Sequence, residues 1–178
     1  TADQLGMSLA RLPTLTEFKS GINDQELAVQ PIDVEDLLGR PQTPLDREGL
    51  HRMIGGKRVL VTGAGGSIGS ELVRQIAALS PAKIILIENS EYGLYTIDME
   101  LSEDYSDLSR SSLIGDVRDR NRMDRIFCEE NPQLVFHAAA LKHVPMVEAN
   151  ILEGLRTNVT GTVNVADAAR QAGVETFV

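Results

Sequence analysis

At 178 residues the chain has the size of one domain and is long enough to bury a core. Its net charge of −9 and the absence of a basic run argue against nucleic acid or an anionic membrane as partner, since both need a positive patch. No apolar stretch approaches the ~20 residues of a membrane span, and no signal-peptide pattern opens the chain. The single cysteine, Cys128, has no partner. It suits a reducing, cytoplasmic compartment and is expected to be buried or idle.

Residues 1–56 read differently from the remainder, holding Pro13, Pro31, Pro41 and Pro44 of the seven prolines. Met7–Pro13 has the pattern of a strand. Short helices are expected at Thr14–Ser20, Asp33–Leu38 and Asp46–Ile54, each stopped by glycine. None can bury a core alone, so this stretch reads as a linker carrying the tail of an upstream domain.

Residues 57–178 read as a second domain in which strands and helices alternate. Strands are expected at Lys57–Thr62, Lys83–Ile87, Ser112–Gly115 and Gln133–Ala138, with a fifth beginning at Glu175. Helices are expected at Ser67–Leu79, Glu91–Asp104, Arg120–Glu130 and Asn150–Ala172. This alternation predicts an α/β fold, a doubly wound parallel sheet with right-handed crossovers. Ligands of such sheets bind beyond the carboxyl ends of the strands.

The most informative stretch is K-R-V-L-V-T-G-A-G-G-S-I-G-S, Lys57 to Ser70. A β-branched run ends in Gly63, Gly66 and Gly69, and a helical pattern follows with Ile68, Leu72, Ile76 and Leu79 on one face. Strand, glycine turn and helix in that order form a diphosphate seat, because unpaired N–H groups and a partial positive charge stand at the helix start. The second strand ends at Glu88, 19 residues after Gly69. A carboxylate there can accept from the adenosine ribose hydroxyls and repels a 2′-phosphate. Asn89, Ser90 and Glu91 bring no cation to offset that repulsion, so NAD is favoured over NADP.

After the third strand, Asp116 can accept from an adenine amine while Val117 covers the ring. Helix capping is an equally open role for Asp116, although Asp119 is better placed as the cap. The fourth strand runs into H-A-A-A-L-K-H-V-P, His137 to Pro145. Its alanines leave room for a flat ribose or nicotinamide, and Lys142 and His143 bring donors toward a phosphate or sugar. His137 is expected to pack between strand and helix. The histidines give no convergent face, so no metal is expected.

T-G-A-G-G-S-I-G-S-E-L, I-E-N-S-E-Y-G-L-Y, G-D-V-R-D, H-A-A-A-L-K-H-V-P-M-V-E-A-N and T-N-V-T-G-T together closely resemble one group. These are the extended short-chain dehydrogenase/reductases of bacterial polysaccharide and capsule biosynthesis, the nucleotide-sugar 4,6-dehydratases and epimerases. V-E-D-L-L-G-R, Val34 to Arg40, is similar to the linker of their long, inner-membrane-anchored members. The resemblance implies a Rossmann fold with NAD as cofactor and a UDP-N-acetylglucosamine-like substrate. It assigns Gly63, Gly66, Ser67 and Ile68 to the pyrophosphate, Glu88 and Asn89 to the ribose, and Asp116 and Val117 to adenine. Ala138, Ala139 and Lys142 fall to the nicotinamide half, and Lys142 and His143 to the sugar nucleotide.

The implied reaction is internal redox. Hydride leaves sugar carbon 4, a base takes the carbon 5 proton, water leaves carbon 6, and hydride returns there. The Ser/Thr-Asp-Lys and Tyr- or Met-x-x-x-Lys segments that the family carries after the fifth strand are not in this sequence. The catalytic residues are therefore expected beyond Val178, in a longer parent enzyme that allows a homo-oligomer, and this chain alone is expected to be inactive. A non-catalytic NAD-binding sensor or scaffold is the alternative.

Overall fold

The computed structural model describes residues 10–11, 30–31 and 46–178. It divides into two units, 1–45 and 46–178. In the first, β1 (Ala10–Arg11) pairs antiparallel with β2 (Gln30–Pro31), placing Ala10 opposite Pro31. The helices expected at Thr14–Ser20 and Asp33–Leu38 lie outside the described residues.

The second unit begins with α1 (Arg47–Ile54), capped by Asp46, whose carboxylate accepts from the Gly49 amide at 2.8 Å. Ile54, the last residue of α1, is buried in the core. The compact unit therefore starts at Asp46 and takes in a helix that the sequence pattern had assigned to the linker.

Five parallel strands follow: β3 (Arg58–Thr62), β4 (Lys83–Glu88), β5 (Arg110–Ile114), β6 (Leu134–His137) and β7 (Thr176–Phe177). Their order in the sheet is β5-β4-β3-β6-β7. The chain winds outward from β3 through β4 to β5, then returns to the other side of β3 to place β6. The strands are almost wholly apolar because helices cover both faces. Val59, Val61, Ile84 and Leu86 pack under α2 (Ser67–Ala77) and α3 (Glu91–Asp104). Leu60, Ile85, Ile87 and Val135 face α4 (Arg120–Glu130) and α7 (Thr162–Gln171).

Several boundaries differ from the sequence reading. β5 starts at Arg110 rather than Ser112, because Arg110 and Ser111 continue the ladder beside Ile84 and Ile85. On α2 the buried face is Gly69, Val73, Ile76 and Ala77. Ile68, expected on the core face, lies in the first turn and is 59% exposed.

The helix expected over Asn150–Ala172 is three segments: α6 (Ile151–Leu155), a π-helical turn (Arg156–Gly161) and α7. A further short helix, α5 (Val144–Ala149), precedes them, with Pro145 in its first turn. Cys128 is exposed on α4, not buried.

Candidate functional site

The return of the chain across β3 makes the β3–β6 boundary the switch point of the sheet, where a crevice opens beyond the strand ends. The glycine turn after β3 lies on one side of it. Gly63 has φ +66°, and a Cβ there would stand 2.8 Å from the Ala139 backbone, so only glycine fits against the β6 loop. A Cβ on Gly69 would lie 1.9 Å from the Gly63 carbonyl oxygen, so α2 can approach the turn only without a side chain there.

Helix capping marks out the crevice. Ser90 caps α3 and Asp119 caps α4, each accepting from an amide three residues on. α2 has Gly66 at the same position and no side-chain cap. Its first-turn N–H groups have no intrahelical acceptor and stay open to an anion.

Eight residues assigned from sequence line one cleft of about 180 Å³: Gly63, Gly66, Glu88, Asn89, Asp116, Val117, Ala138 and Ala139. Ser67, Lys142 and His143 line an adjoining cleft of about 510 Å³, which shares Gly66, Ala140 and Leu141 with the first. Lys142 and His143 are exposed, and Lys142 makes no ion pair among the described residues. Ile68 lines neither cleft.

Asp116 is not the cap of α4. Its carboxylate accepts from the Arg118 amide at 2.9 Å and from the guanidinium at 2.6 to 3.0 Å. Hydrogen bonding from Arg118 outweighs burial and holds the Asp116 carboxyl below the usual carboxylate range. Arg118 also reaches Glu153 at 2.6 Å, tying the β5–α4 loop to α6.

Three side chains not singled out in the sequence hold the crevice walls. Asn158, in the π turn, accepts from the Leu141 amide and donates to the Leu141 carbonyl, both at 2.8 Å, and so locks the loop that carries Lys142. Buried Asn164 donates to the carbonyls of Val117 and Arg118. Thr62, fully buried, pairs with His137 Nδ1 at 2.7 Å. The Thr157–Thr162 motif was the available signal for Asn158. Nothing in the local pattern distinguished Asn164 or Thr62.

Residues 59–178 match the family model described as polysaccharide biosynthesis protein. The chain belongs to that family. Capsular polysaccharide biosynthesis protein CapD of Staphylococcus aureus is 42% identical over 97% of this chain, which spans 29% of CapD. The inverting UDP-N-acetylglucosamine 4,6-dehydratase of Campylobacter jejuni is 36% identical over 69% of the chain and 35% of that enzyme.

Among solved structures, Bordetella bronchiseptica WbmG in complex with NAD and UDP superimposes with a TM-score of 0.55. It is 31% identical over 75% of this chain and 38% of that one. Thermus thermophilus UDP-glucose 4-epimerase in complex with NAD gives a TM-score of 0.56 at 29% identity, over 67% and 36% of the two chains. This member of the polysaccharide biosynthesis family thus has the Rossmann fold of short-chain dehydrogenase/reductases, and its relatives include nucleotide-sugar dehydratases and epimerases. It spans about three-tenths of the length of the curated relatives that match it over nearly its whole sequence. Among the described residues there is no cluster of three potential metal ligands, and no helix is long and apolar enough to cross a membrane.

Proposed function

We propose that this chain is the cofactor-binding part of an NAD-dependent nucleotide-sugar 4,6-dehydratase or epimerase. Its substrate class is UDP-N-acetylglucosamine and relatives, and its role is in surface polysaccharide synthesis. The observation that carries the reading is the uncapped start of α2, facing the same cleft as Glu88, Val117 and the Ala138–Ala139 backbone. The residues fit a dinucleotide: open amides for its pyrophosphate, an acceptor for its ribose, and small side chains where a flat ring must lie. When bound, NAD supplies reversible hydride acceptance.

The chain's own groups do the rest. Ser67 and Ile68 offer first-turn N–H groups to the pyrophosphate, Gly63 and Gly66 shape the turn beside it through the Gly66 N–H to Gly63 carbonyl bond at 3.0 Å, and Glu88 with Asn89 faces the adenosine ribose. Asp116, whose carboxylate is bonded to Arg118, stands at the adenine edge, with Val117 beneath the ring. Lys142 donates at the nicotinamide end, and with His143 it faces the sugar nucleotide across the larger cleft. We assign the removal of the carbon 5 proton, a general acid–base step, to the part of the longer relatives that this chain does not span.

Calorimetric titration of the chain with both dinucleotides tests the reading. NAD+ should bind at least about tenfold more tightly than NADP+, the cost of ~1.4 kcal/mol for a phosphate against a carboxylate. Equal affinities would remove the ribose assignment. The chain incubated with NAD+ and UDP-N-acetylglucosamine should form no 4-keto product above a no-enzyme control.

A further inference from the structure

Glu88 is 8% exposed, the last residue of β4, and its carboxylate is largely committed within the protein. One oxygen accepts from the amides of Asn89 and Ser90, at 2.9 and 3.0 Å. The other accepts from the amide of Gly65, in the middle of the glycine turn, at 3.0 Å. A carboxylate offers about four lone-pair positions, so one remains. A ribose diol, with two hydroxyls to donate, finds a single open acceptor on Glu88.

Gly65 is held from its other side as well. A Cβ on it would lie 2.6 Å from the Gly93 carbonyl carbon, so the turn presses directly on the first turn of α3. The Gly65 amide, engaged by Glu88, is withdrawn from any phosphate.

We propose that Glu88 is the positioning residue of the phosphate turn: it anchors Gly65 to the end of β4, and only its remaining lone pair is left for ribose. Two consequences separate this from a carboxylate that merely receives the ribose. The pyrophosphate must be held by the first-turn amides of α2 and not by Gly65. The second ribose hydroxyl must look to Asn89, which is exposed at the same cleft. The ligand arm of the test rests on the dinucleotide reading above, whereas the anchor itself does not.

The experiment is amide hydrogen exchange on the chain, paired with titration of NAD+ and NADP+. In the wild type, the Gly65 amide should exchange more slowly than the Ser67 amide on the open first turn of α2. In Glu88→Gln, the one remaining acceptor keeps two hydrogen bonds by facing the Asn89 and Ser90 amides, which turns the new NH2 toward the Gly65 amide. Gly65 exchange should accelerate at least about tenfold, and affinity for both dinucleotides should fall, each by about tenfold or more. A carboxylate that acts on ribose alone would instead leave Gly65 exchange unchanged and raise NADP+ affinity. Unchanged exchange in that variant overturns the anchor whatever the ligands do. Should Glu88→Gln not fold, the wild type still decides, because a Gly65 amide as labile as that of Ser67 overturns the anchor. If wild-type chain binds neither dinucleotide, the cofactor reading falls while Gly65 exchange still decides the role of Glu88.

Discussion

His137 stands between two hydroxyls, and their hydrogens determine its state. Thr162 Oγ1 donates to the Asn158 carbonyl at 2.9 Å, so it must accept from His137 Nε2, 3.0 Å away. Nδ1 is then bare and accepts from Thr62. A second ring proton would displace the Thr62 donor, and burial likewise pushes the His137 pKa below its ordinary 6.5. Because the folded pKa is the lower one, the unfolded chain binds the proton first as pH falls. Stability from neutral His137 is full above ~6.5 and declines below it, until the folded pKa is passed. The melting temperature should therefore drop from about pH 7.5 to about pH 5.5, and this component should vanish in His137→Gln. A wild-type profile that is flat over that window would contradict the assigned tautomer. Lys142, exposed and unpaired among the described residues, should behave in the opposite way. Lys142→Ala should move the melting free energy by no more than about 0.5 kcal/mol, while turnover of a full-length enzyme carrying it falls. A large stability loss with normal turnover would make it structural.

Among the elements, α2 and the π turn set the two walls of the crevice. Replacing Gly69 with alanine forces α2 off the Gly63 carbonyl. Overpacking of this kind costs about 1–3 kcal/mol, and NAD+ binding should be lost along with it. A Gly69→Ala chain with normal affinity would show that the turn is not held by α2. The π turn acts through Asn158, whose side chain pairs with Leu141 as a neighbouring strand would. Asn158→Ala should cost about 1–2 kcal/mol, speed exchange of the Leu141 amide, and weaken sugar-nucleotide binding more than dinucleotide binding. Equal weakening of both ligands would mean that the loop carrying Lys142 is not what Asn158 holds.

Across the molecule, apolar surface gathers on one helical side. Ile151, Leu152, Leu155, Val159 and Val163 are each more than half exposed. β7 is an edge strand, with Phe177 39% exposed. Exposed apolar faces and open sheet edges promote association. Light scattering of the chain should show apparent mass rising with concentration, and the pair Val159→Lys and Val163→Glu should suppress it. A concentration-independent monomer would show that this face is tolerated in water.

The order of strands and helices, the glycine turn, the capping role of Asp119 and the strand-end position of Glu88 were all legible from local pattern. Each depends on residues within about one turn or one strand of one another, where period and backbone preference suffice. The resemblance then placed the assigned residues close to where the clefts form. What the chain alone did not disclose involves partners far apart in sequence. Thr62 meets His137 across 75 positions, and Asn164 meets Val117 across 47. Asn158 and Leu141 are 17 apart and meet only because a π turn swings the amide toward the loop. Gly65 and Glu88, 23 apart, come together because parallel pairing of β3 with β4 brings both carboxyl ends to one edge. Local sequence could mark Glu88 as an acidic strand end. Only the packed sheet decided that most of its hydrogen-bonding capacity goes to the protein's own backbone.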